Sequence, residues 1–344
     1  MSLQTEEHCG SCDVSCIETQ TECSTLLKCT GKTWGTHPQF SPTPGGESLR
    51  AVFGSSNNFM VLGGGSLGSV IASRDGFATF LPLRNFSNLT SGSIQGIWVG
   101  GEEIYVVGTK SLVLKRKPGD WSLIKVSETN QDLGDLSAVW SPGDRIIYVA
   151  GTKGLWSFSE ADPTANWQSS FGDPVRAISG LTASGGGKFA YALGEHKVFF
   201  HDNAKPWDKF AELPPEFQPT ALWAMDAENV IVVGKNGRIC ECQRNQTPSC
   251  HNAETSRDLF AVFGVMGANR NAVVYAVGQQ GTILKRQRVG RWVPIASLID
   301  KDLFAVWGSD PDHFIAVGAE RTVAIRSPEV GFRQGPPGVV QRRR

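Results

Sequence analysis

The sequence predicts an all-β fold, a seven-bladed β-propeller of four-stranded blades with a short Cys-rich N-terminal segment. Three observations predict it. One motif returns seven times at the period of a blade, each copy has the short β-branched and aromatic runs of strands, and no stretch sustains the 3.6-residue apolar period of a helix.

The motif is clearest near the end of the chain. Leu303-Phe304-Ala305-Val306-Trp307-Gly308 is followed by a Ser-Asp-Pro-Asp turn and by His313-Phe314-Ile315-Ala316-Val317-Gly318. Its siblings begin at Leu49, Ile94, Leu136, Val175, Thr220 and Leu259, and each leads to an apolar run ending in glycine, at Gly63, Gly108, Gly151, Gly194, Gly234 and Gly278. Successive glycines stand 40 to 45 residues apart, the length of four short strands with their turns.

Within a copy the first and second runs, joined by a Ser/Asp/Asn/Gly turn, read as a hairpin. After the glycine a tight turn leads to a third run, as in 112–116 and 281–286, and a tryptophan commonly opens the fourth, at Trp121, Trp167, Trp207 and Trp292. Trp34 resembles such an opening tryptophan although it precedes the first copy, so the run 31–34 is the favoured strand for completing the last blade, with 330–332 as its competitor. The expected layout is a disulfide-linked Cys-rich segment over 1–31, the propeller over 32–330, and a disordered basic tail over 331–344 that ends in three arginines.

The 344 residues carry 33 basic and 33 acidic side chains, so no net field gathers nucleic acid, and an anionic ligand would need a local patch. With 40% hydrophobic and 19% charged residues the chain can bury a large core, which excludes disorder of the whole. No apolar run approaches the ~20 residues of a bilayer span. The cysteines point to an oxidising compartment: Cys9, Cys12, Cys16, Cys23 and Cys29 cluster at one end, and Cys240, Cys242 and Cys250 in the fifth copy. Five and three cannot all pair within their clusters, so full oxidation ties the N-terminal segment to the body. Cys240 and Cys242 share one face of a strand, and the turn at 243–248 returns Cys250 to bridge one of them, leaving the other for the N-terminal segment. Cys9-x-x-Cys12-x-x-x-Cys16 offers one step that zinc sites use, but a second CxxC is missing, so no metal and no cofactor is expected. The expected setting is extracytoplasmic: periplasm, outer-membrane surface or secreted. A leader would have been removed, and the membrane would be touched only through a lost N-terminal anchor.

The repeat L-x-A-V-W-G, a polar turn, then A-V-G-x-x-G-T-I-L resembles that of the seven-bladed propellers that include the photosystem II assembly factors. It is similar also to the tandem repeats of secreted and lipoprotein propellers of myxobacteria. Ser73-Arg74-Asp75-Gly76-Phe77-Ala78-Thr79-Phe80 resembles a degenerate Asp-box of the sialidase-type (BNR-like) repeat, with Phe77 where glycine is usual. The resemblance covers about residues 33–328. It implies the fold, and for function only the broad class of binding or assembly, because such propellers serve many roles.

Sialidase-type catalysis would need a tyrosine nucleophile, an acid and a clamp of arginines. Tyr105, Tyr148, Tyr191 and Tyr275 each stand three residues before a repeat glycine, where other copies place Met60, Ile231 and Ile315, so they read as packing residues. The column Phe53, Trp98, Trp140, Trp223, Phe263 and Trp307 reads as core. The histidines form no metal-binding spacing, and no catalytic residue is assigned. The candidate site is the turn between second and third strands, which opens on one end of a propeller in every blade. There Lys110, Lys153, His196, Lys197, Lys235 and Arg321 would ring that end with cations able to gather an anion. The expected function is a non-catalytic, extracytoplasmic binding or assembly module, a monomer that uses one propeller face for an anionic group or a protein partner. The alternatives are a lectin, holding a glycan against Trp156 or Trp207, and a sialidase-like glycoside hydrolase.

Overall fold

A computed structural model of the chain consists of seven four-stranded antiparallel sheets around one axis. The description covers residues 34–326 except 41–43, 57–58, 66–68, 76, 86–91, 102, 117–122, 126–130, 144, 163–165, 183–185, 203–205, 268–270, 288–289 and 296; before residue 34 it includes only four two-residue strands, whose side chains are not described. Among the described residues no helix is long and apolar enough to cross a membrane.

The innermost strands of blades 1 to 7 are Leu49–Ser56, Ile94–Gly100, Leu136–Trp140, Ala177–Thr182, Pro219–Ala224, Leu259–Met266 and Leu303–Asp310. Each packs against the inner strand of both neighbours, and Leu303–Asp310 meets Leu49–Ser56 to close the ring. The second strands are covered by neighbouring blades on both faces, so they read as unbroken apolar runs rather than as alternation. In Asn229–Gly234, for example, every residue after the first is buried.

The last blade takes its outer strand from the N-terminal side. Trp34–Thr36 pairs with Val323–Arg326 in the register Arg326↔Trp34, Ile325↔Gly35 and Ala324↔Thr36. The last blade is thus closed from the favoured N-terminal side, by a strand that shares Trp34 with the run 31–34, whose first three residues lie, like the competitor at 330–332, outside the described residues. Trp34, Trp167 and Trp292 are all buried where they open fourth strands or stand just before them, while Trp121 is not described.

Two features of the motif have causes in the neighbouring blade. The aromatic residue of one inner strand lies over a glycine of the next: a Cβ on Gly54 would stand 2.6 Å from the Trp307 ring, and one on Gly264 would stand 2.7 Å from Trp223. The second motif residue is set out of register in six blades, for example between Leu49 and Ala51 or Leu303 and Ala305. Such a bulge leaves that residue outside the ladder and re-aims its side chain. Blade 4 reaches the same arrangement differently, with Arg176 just ahead of its strand and its N–H donating to the Leu193 carbonyl at 2.8 Å.

In blade 5 Cys240 and Cys250 face each other across the ladder and form a disulfide, with Cα atoms 4.0 Å apart. The expectation that the remaining cysteine reaches the N-terminal segment is corrected. Cys242 carries a free thiol, packed in an apolar cluster with Tyr191, Phe200 and Leu222, and burial pushes that thiol up to about 12. The side chains of Cys9, Cys12, Cys16, Cys23 and Cys29, and the tail at 331–344, lie outside the described residues.

Candidate functional site

The bulged second motif residue of six blades, and Arg176 of blade 4, turn into the central channel. Around one mouth, in blade order, these are Arg50, Gln95, Ser137, Arg176, Thr220, Phe260 and Phe304, lining a cavity of about 450 Å³. Below them lie the small third residues of the motif, such as Ala51, Gly96 and Ala305. Deeper still, Phe53, Phe263 and Trp307 meet at ring separations of 6.3 to 6.4 Å, and Trp223 joins Phe263 at 6.4 Å, so an aromatic layer narrows the channel from blades 5, 6, 7 and 1. Blade 4 has Ser179 at this level, its hydroxyl accepting the Ala224 N–H at 3.1 Å.

The mouth is chemically two-sided. On one side the Arg50 guanidinium carbon lies over the Phe304 ring, 4.0 Å from its centre, and Phe260 packs against Phe304 at 5.7 Å. A cation over an aromatic face is steadied without being neutralised. On the other side Arg176 is exposed, between Ser137 and Thr220 in blade order. Ser137 donates to the Arg176 carbonyl at 3.0 Å, and Thr220 donates to the Leu259 carbonyl at 2.6 Å. The ring of seven contains two cations and no acid, and among the described residues neither arginine has a carboxylate partner.

The turn cations anticipated from the sequence form a second, outer ring on the same end. Backbone N–H groups of these turns fasten blades together. In blades 3, 6 and 7 an aspartate just before the inner strand accepts twice. The Asp135 carbonyl takes the Thr152 N–H of its own blade at 2.9 Å, and its carboxylate takes the Lys110 N–H of blade 2, also at 2.9 Å. Asp258 does the same for Gln279 and for Asn236, and Asp302 for Ala319 and Gln280. The turn residues that donate across the seam adopt positive φ: Lys110 59°, Asn236 55° and Gln280 52°. Lys153 is paired with Asp132 at 2.5 Å, which holds that carboxyl below the usual range. Lys235, Lys197 and Arg321 are exposed, while His196 is half-buried with Nδ1 unpartnered. The outer ring therefore interleaves cations with acids, Glu320 included, which pairs with Lys301 at 3.2 Å.

The inner mouth was missed from sequence because its position varies from blade to blade. The available signal was that it is the one motif position between two apolar residues that tolerates Arg, Gln, Ser and Thr.

The residues behind the alternatives are engaged in packing or, for Asp75, in their own turn. All four tyrosines are buried: Tyr191 donates to the Asp226 carbonyl at 3.0 Å, the Tyr148 hydroxyl contacts His201 Nε2 at 3.1 Å, and burial raises the pKa of Tyr105, Tyr148 and Tyr191. Trp156 and Trp207 pack against the cluster that joins blades 2, 3 and 4, with Trp207 stacked on His201 at 5.1 Å. Asp75 serves its own turn, accepting from Ser73 Oγ and the Thr79 N–H at 2.9 Å each. Among the described residues no group of three His, Cys, Asp or Glu side chains is placed to hold a metal ion.

No protein-family profile matches the sequence, and no curated protein matches it. Solved structures do match the fold. YCF48 bound to a D1 peptide superposes with a TM-score of 0.66 at 13% identity, covering 86% of this chain and 96% of that one. YCF48 from Cyanidioschyzon merolae gives 0.65 at 14%, covering 86% and 99%. The WD40 β-propeller domain of Doa1 gives 0.63 at 12%, covering 81% and 92%. At these identities the likeness establishes the seven-bladed fold alone.

Proposed function

We propose that the protein is a non-catalytic binding propeller that takes a protein partner on the face carrying the Arg50–Arg176 mouth, through an acidic segment of that partner. The observation that carries this reading is the mouth itself: a concave cavity bearing two arginines that, among the described residues, have no acid partner, one of them preset on an aromatic platform. Guanidinium groups hold carboxylates through two parallel hydrogen bonds, and a partly enclosed, acid-free site makes such bonds stronger than they are in open water. A YCF48 propeller of the same fold is described with a bound peptide, which supports a peptide-sized partner here. Lys110, Lys153, His196, Lys197, Lys235 and Arg321 form an outer field that raises the local concentration of an anionic segment without gripping it. An extracytoplasmic setting is part of the proposal, and the Cys240–Cys250 bridge supports it.

The test is fluorescence anisotropy with an Asp/Glu-rich peptide library and the same peptides carrying Asn and Gln. Saturable binding of acidic members, lost in their amide counterparts and weakened by salt, is expected. Equal binding of both sets would overturn the anionic reading.

A further inference from the structure

The ring is sealed by a three-residue strand, and the four residues that follow it strap blade 7 to blade 1. Beyond Trp34–Thr36 the His37 N–H continues the ladder to the Val323 carbonyl at 2.8 Å. The chain then crosses to residues 77–80 of blade 1. His37 Nε2 donates to the Phe77 carbonyl at 2.8 Å, and its Nδ1 accepts the Gln39 N–H at 3.2 Å. Gln39 imitates a strand with its side chain, donating to the Phe80 carbonyl at 2.6 Å and accepting the Phe80 N–H at 2.9 Å. His37, Phe40, Phe77 and Phe80 are all 4% exposed or less, and the imidazole sits edge-on to Phe80 at 5.1 Å. Phe77 has φ +72° at the glycine position of the Asp-box pattern, so blade 1 accepts an unfavourable backbone where the strap is anchored.

This geometry fixes the proton count. Nδ1 accepts a backbone N–H, so it carries no proton, and the ring is neutral with its one proton on Nε2. A second proton has no acceptor at Nδ1, where it would oppose the Gln39 N–H. We propose that the strap is an acid-opened latch on the ring seam: uptake of one proton by His37 releases residues 37–40 from blade 1 and loosens the closure of blade 7.

The charged group acting on the imidazole is Asp75, already engaged by Ser73 and Thr79. Residues 34–36, 38–40 and 323–325 carry no charge. Behind Phe77 stands His313, 6.1 Å from that ring and paired through Nδ1 with Asp310 at 2.8 Å. Burial is the largest influence on His37 and holds it below the ordinary imidazole range. Because the folded form disfavours the proton, the latch is intact above the ordinary histidine value of about 6.5 and weakens as pH falls through it.

Hydrogen exchange followed by mass spectrometry or NMR from pH 7.5 to 5 reads the latch. Protection at His37, Gln39 and Phe80 is expected to fall by up to about tenfold per pH unit below the ordinary imidazole value, as linkage to one proton requires, while the inner hairpins of blades 3 and 5 keep theirs. His37→Gln keeps a donor for Phe77 and cannot titrate, so its profile should be flat. Acid loosening that persists in His37→Gln, or loosening uniform over all blades, overturns the proposal. If the variant fails to fold, the wild-type imidazole decides: an Nδ1–H tautomer or a titration midpoint at or above 6.5 rules the latch out.

Discussion

Two rings of polar side chains share one end of this propeller, and they differ in what their residues already do. The outer ring, in the turns after each repeat glycine, holds most of the lysines that stand out in the sequence. Its backbone fastens blade to blade through Asp135, Asp258 and Asp302, and its cations alternate with acids. The inner ring holds only two cations, yet Arg50 and Arg176 face a cavity with no acid among the other five residues of the ring. A charge at a turn is a surface property, whereas a charge left uncommitted beside a concavity is a capacity to bind.

Three substitutions sharpen this contrast, in order of expected effect. The inner ring stands above the aromatic layer, where Trp223 and Trp307 each lie over a glycine of the next blade. Gly264→Ala should destabilise the protein by about 2–3 kcal/mol through overpacking against Trp223, read as a shift in the urea midpoint; an unchanged midpoint would mean that the layer yields. Asp302→Ala removes an outer fastening while leaving Arg50 and Arg176 in place. It should cost about 1 kcal/mol of stability and change peptide affinity less than about twofold. Tighter coupling to affinity would show that the two rings act as one. Phe304→Leu keeps an apolar wall but removes the platform under Arg50, and affinity should fall about threefold with stability nearly unchanged.

The sequence made the scaffold legible where the determinants are local and repeated. The second strands are apolar throughout because blades cover both faces, and Trp34 could be recognised out of order because it resembles the other strand-opening tryptophans. The turn ring was equally visible, since glycine marks its place. Arg50 and Arg176 were not, because Arg50 is aimed by a register shift and Arg176 by its place just ahead of its strand, both of which exist only once strands pair, and a column reading Arg, Gln, Ser, Arg, Thr, Phe, Phe looks merely variable. The same holds for the cysteines. Spacing placed Cys240 and Cys242 on one face, but the ladder register chose Cys240 for Cys250 and left Cys242 in the core. His37 gave no signal at all, since its partners at Phe77 and Gln39 are set by how the chain crosses the seam.

The difference between the rings is tested most directly by measuring one acidic peptide against two variants. Arg50→Ala combined with Arg176→Ala should weaken binding by about 100-fold or more, as expected for the loss of two charged hydrogen-bonding groups. Lys110→Ala, Lys153→Ala and Lys235→Ala together should weaken it about threefold and flatten its salt dependence. The reverse order, with the lysine variant losing binding and the arginine variant retaining it, would contradict the assignment of the mouth as the binding site.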